Sequence, residues 1–288
     1  MLQQVVYGEV IISLILSTAN ILLTFLIFRR KPLKSIWHDS PSLGSMFVAD
    51  ILSSVQRSLF AICFLCLTHN VFPNGENVKA LNILNLIGLC ISGAYFCATI
   101  GVFAQRIYVL VLPLKSVDYL NNMLMCFIVG STTVITGALV GVNYDSFTEK
   151  TDEKVNKTEG CYSSSCSSTV EGIGKTFGMY IRFTLCTATI IVGVVFLVLF
   201  KIKKIGPNDK RIRNFQYTKA LFYAHVVFVI IPSIIDVIMI NHLDTSLASY
   251  IGLYALIGRS LDHFISCLSY VVVMKLVKRK VTMTTYVS

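Results

Sequence analysis

The chain has 288 residues, of which 55% are hydrophobic and 14% charged, with a net charge of +10 and a mean hydropathy of +0.71. A soluble domain carries about 25% charged residues, so this composition excludes a water-soluble monomer and indicates a membrane protein. The positive charge alone would allow a nucleic-acid partner, but its distribution along the chain excludes one.

A spanning helix needs about 20 apolar residues to cross roughly 30 Å of hydrocarbon. Seven runs meet that need and predict spans at 5–28, 43–67, 81–104, 123–142, 179–200, 220–240 and 250–274. The expected fold is an all-α, seven-helix transmembrane bundle forming one domain over residues 1–288. The first run has no Lys or Arg before it and Arg29-Arg30-Lys31 directly after it. A secretory signal has the opposite arrangement, so this run reads as an uncleaved span with its N-terminus outside and the chain's C-terminus cytoplasmic. On that topology seventeen of the 25 basic residues fall on the inner side and five on the outer side, as the positive-inside rule requires. Basic loops facing anionic lipid then account for the net charge without nucleic acid.

The third run leads into Gln105-Arg106-Ile107-Tyr108, with Pro113-Leu114 beyond. An arginine that closes an apolar helix keeps its stem in lipid and its head in water, and the proline discourages further helix. The long outer loop, 143–178, contains Asn156-Lys157-Thr158, a glycosylation acceptor triplet on the lumenal side. It also contains Cys161 and Cys166, placed where oxidation is permitted. These two can pair with each other or with Cys66, and the sequence leaves the choice open. The remaining cysteines lie in apolar runs, where a free thiol behaves as a small hydrophobe.

A charge at mid-membrane costs roughly 2.5–3.5 kcal/mol on insertion scales, so each one needs a reason. Asp50 lies on span two, with Arg57 two turns further along the same face. Arg182 lies on span five, Asp236 on span six, and Arg259 and Asp262 are three apart on span seven, where they can pair. Interior contacts that fix helix packing suit Asp50 and Asp262. Arg57, Arg182, Asp236, Arg259 and Tyr254 fall in the outer half and are candidates to line a small-molecule cavity. Three arginines against one aspartate favour an anionic or carbonyl-bearing ligand. Pro232 is expected to kink span six and serve as a hinge. The histidines show no metal-ligand spacing, and His225 and His263 read as satisfied helix residues. No enzyme constellation appears, and no cofactor or metal is expected.

These residues together resemble the seven-helix G-protein-coupled receptor superfamily. Asn20 after Ala19 stands where the superfamily has its span-one asparagine, and Asp50 after Ala49 resembles its second-helix aspartate. Gln105-Arg106-Ile107-Tyr108 resembles the Asp-Arg-Tyr motif, Pro232 the sixth-helix proline, and Tyr270 the end of the Asn-Pro-x-x-Tyr motif. The chain departs from the pattern at Gln105, which replaces the acid, and at Ser266-Cys267, which replaces Asn-Pro. Its one tryptophan, Trp37, precedes span two. The pattern is most similar to the nematode serpentine chemoreceptors of the Srbc class, through Lys31-Pro32-Leu33 leading to Asp39, the Cys161 and Cys166 loop, and Pro232-Ser233.

That resemblance implies a chemosensory receptor in the plasma membrane, at the sensory cilia of neurons. It implies a small-molecule ligand in the outer half and a heterotrimeric G protein engaging Arg106, Tyr108 and Tyr270. It leaves Asn20, Asp50 and Asp262 as structural polar residues. Two rival readings are a seven-span transporter or channel and a non-signalling subunit that traffics other receptors. No half of the chain repeats the other and no pair of short, broken spans marks a midplane site, which speaks against the first.

Overall fold

The computed structural model describes residues 2–68, 74–112, 118–148, 173–203, 212–243 and 254–284. The helices are α1 (Leu2–Arg30), α2 (Leu33–Asp39), α3 (Pro41–Thr68), α4 (Asn74–Val111), α5 (Asp118–Thr148) and α6 (Ile173–Ile202). They continue with α7 (Ile212–His225), a π turn (Val226–Ile230) that runs into α8 (Ile231–Leu243), and α9 (Tyr254–Thr284). Among the described residues there is no strand, and seven stretches are long and apolar enough to cross a membrane. The chain is thus an all-helical, multi-pass membrane protein.

Helices outrun the apolar segments that predicted them, because inside lipid every backbone polar group must be satisfied within the helix. α4 continues through Arg106 to Val111, so the arginine lies inside the helix and not at its end. The sixth span starts at Ile212, where Phe215, Tyr217, Thr218 and Leu221 turn inward and polar neighbours turn out. α2 was not expected. It is a short amphipathic helix that buries Ile36, and Lys31 closes its corner through a 2.7 Å contact with Asp39. Hydrogen bonding to that ammonium holds the Asp39 carboxyl below its ordinary range, although an exposed pair of this kind adds little stability.

The spans close into a ring in which α9 packs on α1, α1 on α3, α3 on α4, and the sixth span on α9. α4 is the central element, touching α3, α5, α6 and α7. Half of its membrane window is buried inside the bundle, against 17% for the fourth span, which lies at the periphery. The outer faces are apolar: Phe25, Ile15, Leu22 and Val134 are each more than 60% exposed. Polar side chains such as Asn20, Asp50, Arg57, Thr99 and Asp262 are buried instead. An inside that is more polar than the outside is stable only where the surroundings are hydrocarbon.

The π turn has an identifiable origin. Pro232 has no N–H and cannot donate to the Phe228 carbonyl four residues earlier. The ladder shifts register, and the Ile231 N–H bonds the Val226 carbonyl, five residues back. Single π turns of this kind are common at functional sites. Opposite it, Gly258 of α9 lies so close that a Cβ there would sit 2.4 Å from the Phe228 carbonyl oxygen. Nearer the Arg106 end, a Cβ on Gly193 of α6 would sit 2.2 Å from the Phe222 ring. Two glycines therefore set how closely the sixth span packs against both of its neighbours.

Candidate functional site: a buried polar cluster and the Arg106 end

Five helices contribute to one buried polar cluster at mid-bundle. Its centre is Asp50 of α3, 2% exposed. The Asn20 amide nitrogen donates to both Asp50 oxygens at 3.0 Å and to the Ser54 hydroxyl at 2.8 Å. The Cys267 thiol donates to Asp50 Oδ2 at 3.1 Å, and the His263 ring Nδ1 is hydrogen-bonded to Oδ1. Thr24 reaches the same carboxylate at 3.5 Å while donating to its own helix at the Asn20 carbonyl. The carboxylate is thus held by donors from α1 and α9, and these two helices close the ring.

Arg57, one layer further along α3, is 3% exposed. Its guanidinium donates to the Ser53 hydroxyl at 2.6 Å, to the Ser53 carbonyl at 3.2 Å and to the Ser260 hydroxyl at 3.1 Å. Ser260 is also bonded to Ser13 of α1 at 3.0 Å. Asp50 and Asp262 are the carboxylates within electrostatic reach of this guanidinium. Asp262 does not pair with Arg259, as the three-residue spacing had suggested; its Oδ2 lies 2.9 Å from Nδ1 of His225 on α7. Tyr95 of α4 lies between the two imidazoles, with ring centres 4.2 Å from His263 and 5.9 Å from His225. The cluster therefore joins the first, second, third, sixth and seventh spans through side chains alone.

At one end of the bundle Arg106 is 8% exposed. Its electrostatic neighbours are the Tyr217 and Tyr270 hydroxyls, whose rings meet edge to face at 5.2 Å. Its preceding residue does not lock it. Gln105 is turned away, donating to Asn121 of α5 at 2.7 Å and accepting from Ser40. That amide ties α4 to the start of α3 and to α5. Gln105→Ala leaves Asn121 and Ser40 without their buried partner and is expected to lower stability by about 1–3 kcal/mol, read as a lower unfolding temperature of the purified protein.

Toward the other end, Arg182 of α6 and Arg259 of α9 both lie within electrostatic reach of Cys186, which has Ser233 of α8 at its sulfur. Arg182 also borders a shallow, mostly apolar cleft formed with Leu89, Phe96, Leu139, Ile181 and Leu185. Among the described residues, no carboxylate forms an ion pair with Arg182.

The sequence-predicted residues therefore separate into three groups. Asn20, Asp50, Arg57 and Asp262 meet in the central cluster, and Arg57 lies there and not against an open cavity. Arg106 and Tyr270 meet at one end, with Tyr108 half-buried two residues beyond the arginine. Arg182 and Arg259 converge near the other end. Asp236 is half-buried on α8, and Pro232 follows the π turn. The Tyr254 side chain, Asn156, Cys161 and Cys166 lie outside the described residues. Cys66 is a free thiol in the structure, so the pairing through it is not formed. Sequence reasoning did not place His225, His263, Cys267, Ser260, Tyr95 or Tyr217 in any site. The one available signal was Asp262-His263, two adjacent titratable residues within an apolar span.

No protein-family model and no curated protein matches the sequence.

Proposed function

We propose that this chain is a chemosensory G-protein-coupled receptor of the nematode serpentine type, placed in the plasma membrane of sensory cilia. The observation that carries the reading is Arg106. It is a buried cation on the central helix, next to two tyrosines and released from its neighbouring amide, with no carboxylate among its electrostatic neighbours in the described residues. A cation in that setting suits an acceptor brought by a partner that enters the bundle from the cytoplasmic side. Tyr217 and Tyr270 belong to the sixth and seventh spans, so movement of span six about its π turn and Pro232 opens the route to the arginine. An agonist favours that packing only in proportion to its preference for it.

The ligand site in this reading is the region of Arg182 and Arg259, distant from Arg106, and the ligand is a small anionic or carbonyl-bearing molecule with an apolar body. The test is a second-messenger response in cells displaying the chain, screened against volatile and water-soluble compounds that include short carboxylates. Arg182→Ala is expected to raise the half-maximal concentration of an active carboxylate at least tenfold with little change in the maximum. Arg182→Lys should recover part of it, because a lysine keeps the charge but not the forked geometry. Equal potency in wild type and Arg182→Ala would remove this residue from the site.

A further inference from the structure

The cleft beside Arg182 has features that none of the sequence motifs marks. It lies where α5, the peripheral span, meets α4 and α6. Leu89 and Phe96 of α4, Leu139 of α5 and Leu185 of α6 form its walls, and Ser92 and Arg182 carry its only polar side chains. Two glycines shape it. A Cβ on Gly178 of α6 would meet nothing within 4 Å, so that position opens onto empty space. A Cβ on Gly93 of α4 would come within 3.1 Å of the Ile135 side chain, so its absence lets α4 and α5 approach closely beside the cleft.

Charge sets the class of occupant. Arg182 is the third residue of a membrane window that begins at Tyr180, so its stem lies along apolar surface while its head reaches the interface. Among the described residues no carboxylate pairs with it. Arg259 already has an interaction of its own, and an anion on Arg182 does not need it. The planar guanidinium offers two parallel N–H groups, which match one carboxylate. The rest of the cleft takes an apolar body. Between Leu89 and Phe96 α4 rises roughly 10 Å. With carbon–carbon bonds of about 1.5 Å, an extended chain of about eight carbons has a similar reach. A second carboxylate further along that chain would face leucine and phenylalanine without a partner, which is costly.

We propose that the cleft between α4, α5 and α6 binds a single-chain fatty acid of medium length, with its carboxylate on Arg182 and its tail against Phe96, Leu139 and Leu185. The choice of Arg182 as the ligand's anchor rests on the receptor reading above, whereas the binding itself needs no G protein.

The test is equilibrium binding of radiolabelled octanoate to the full chain in zwitterionic lipid nanodiscs, with uptake by empty nanodiscs subtracted. Wild type is expected to bind octanoate at least tenfold more tightly than octanol, which has the same tail and no charge. Arg182→Gln should weaken octanoate at least tenfold and leave octanol unchanged. Gly178→Leu keeps the arginine, replaces a poor helix former with a good one and takes up the open space. It should weaken octanoate at least tenfold, with an unfolding temperature no lower than that of wild type. Octanoate uptake that is equal in loaded and empty nanodiscs would overturn the proposal even if no variant folds. So would equal affinity for octanoate and octanol, or wild-type octanoate affinity in either folded variant. The two readings fail separately. Octanoate bound in this pattern by a chain that activates no G protein upholds the site and removes the receptor. Second-messenger responses from a chain that shows none of the pattern remove the site alone.

Discussion

Replacing Asp50 by alanine is expected to cost about 3–5 kcal/mol of stability, the range found when one partner of a buried charged network is removed. The substitution takes away the acceptor shared by Asn20, Cys267, His263 and Thr24. Each of these donors is buried and has no water to turn to, and an orphaned donor costs on the order of 1–3 kcal/mol. Asp50→Asn keeps the volume and one acceptor oxygen, so its loss should be clearly smaller. Thermal unfolding of both variants in one detergent checks this, with a fall of roughly 10 °C for alanine. If alanine and asparagine unfold within a degree or two of wild type, the cluster does not hold the bundle together.

Gly258→Ala is the second large effect. The added methyl would lie 2.4 Å from the Phe228 carbonyl oxygen, and the obstacle is backbone, which cannot rotate away as a side chain can. The π turn and α9 must separate by a fraction of an ångström or more, at a cost of about 1–3 kcal/mol. That separation acts on the same pair of elements that His225 and Asp262 bridge. In the receptor reading it favours the open packing, so basal second-messenger output should rise while stability falls. Gly137→Ala, where an added Cβ meets nothing within 4 Å, is the matched control and should change neither. Wild-type basal output and stability in Gly258→Ala would mean that the contact between the π turn and α9 is not the one that gates the bundle.

The spans were legible in the sequence because hydrocarbon imposes a length and a composition that few other environments require. What escaped has physical reasons. α2 and the first turns of α7 are polar on one face, so no apolar run announces them; only the burial of Ile36, Phe215 and Tyr217 reveals which face turns inward. Asn20 and Asp50 were each singled out as interior polar residues, but their contact with one another was not foreseen. Nor was that of His263, since 213 residues separate it from the aspartate it bonds. Arg57 was assigned to a ligand cavity from its depth along span two, but depth does not fix direction, and its guanidinium is turned toward Ser53 and Ser260. The Arg259–Asp262 pairing failed for a related reason. Spacing permits a contact on one helix, but a partner on the facing helix, here His225, took the carboxylate.

The central claim is that Arg106 is where a cytoplasmic partner is engaged. Guanine-nucleotide exchange on a purified heterotrimeric G protein, with the chain reconstituted in lipid vesicles and an active compound added, tests it most directly. Wild type should accelerate exchange. Arg106→Ala, matched for protein content and for ligand binding, should reduce the acceleration at least tenfold. Exchange that proceeds equally in the two, or a solute uptake or ion current through the same vesicles that needs neither Arg106 nor G protein, would contradict the account and identify a transporter or channel instead.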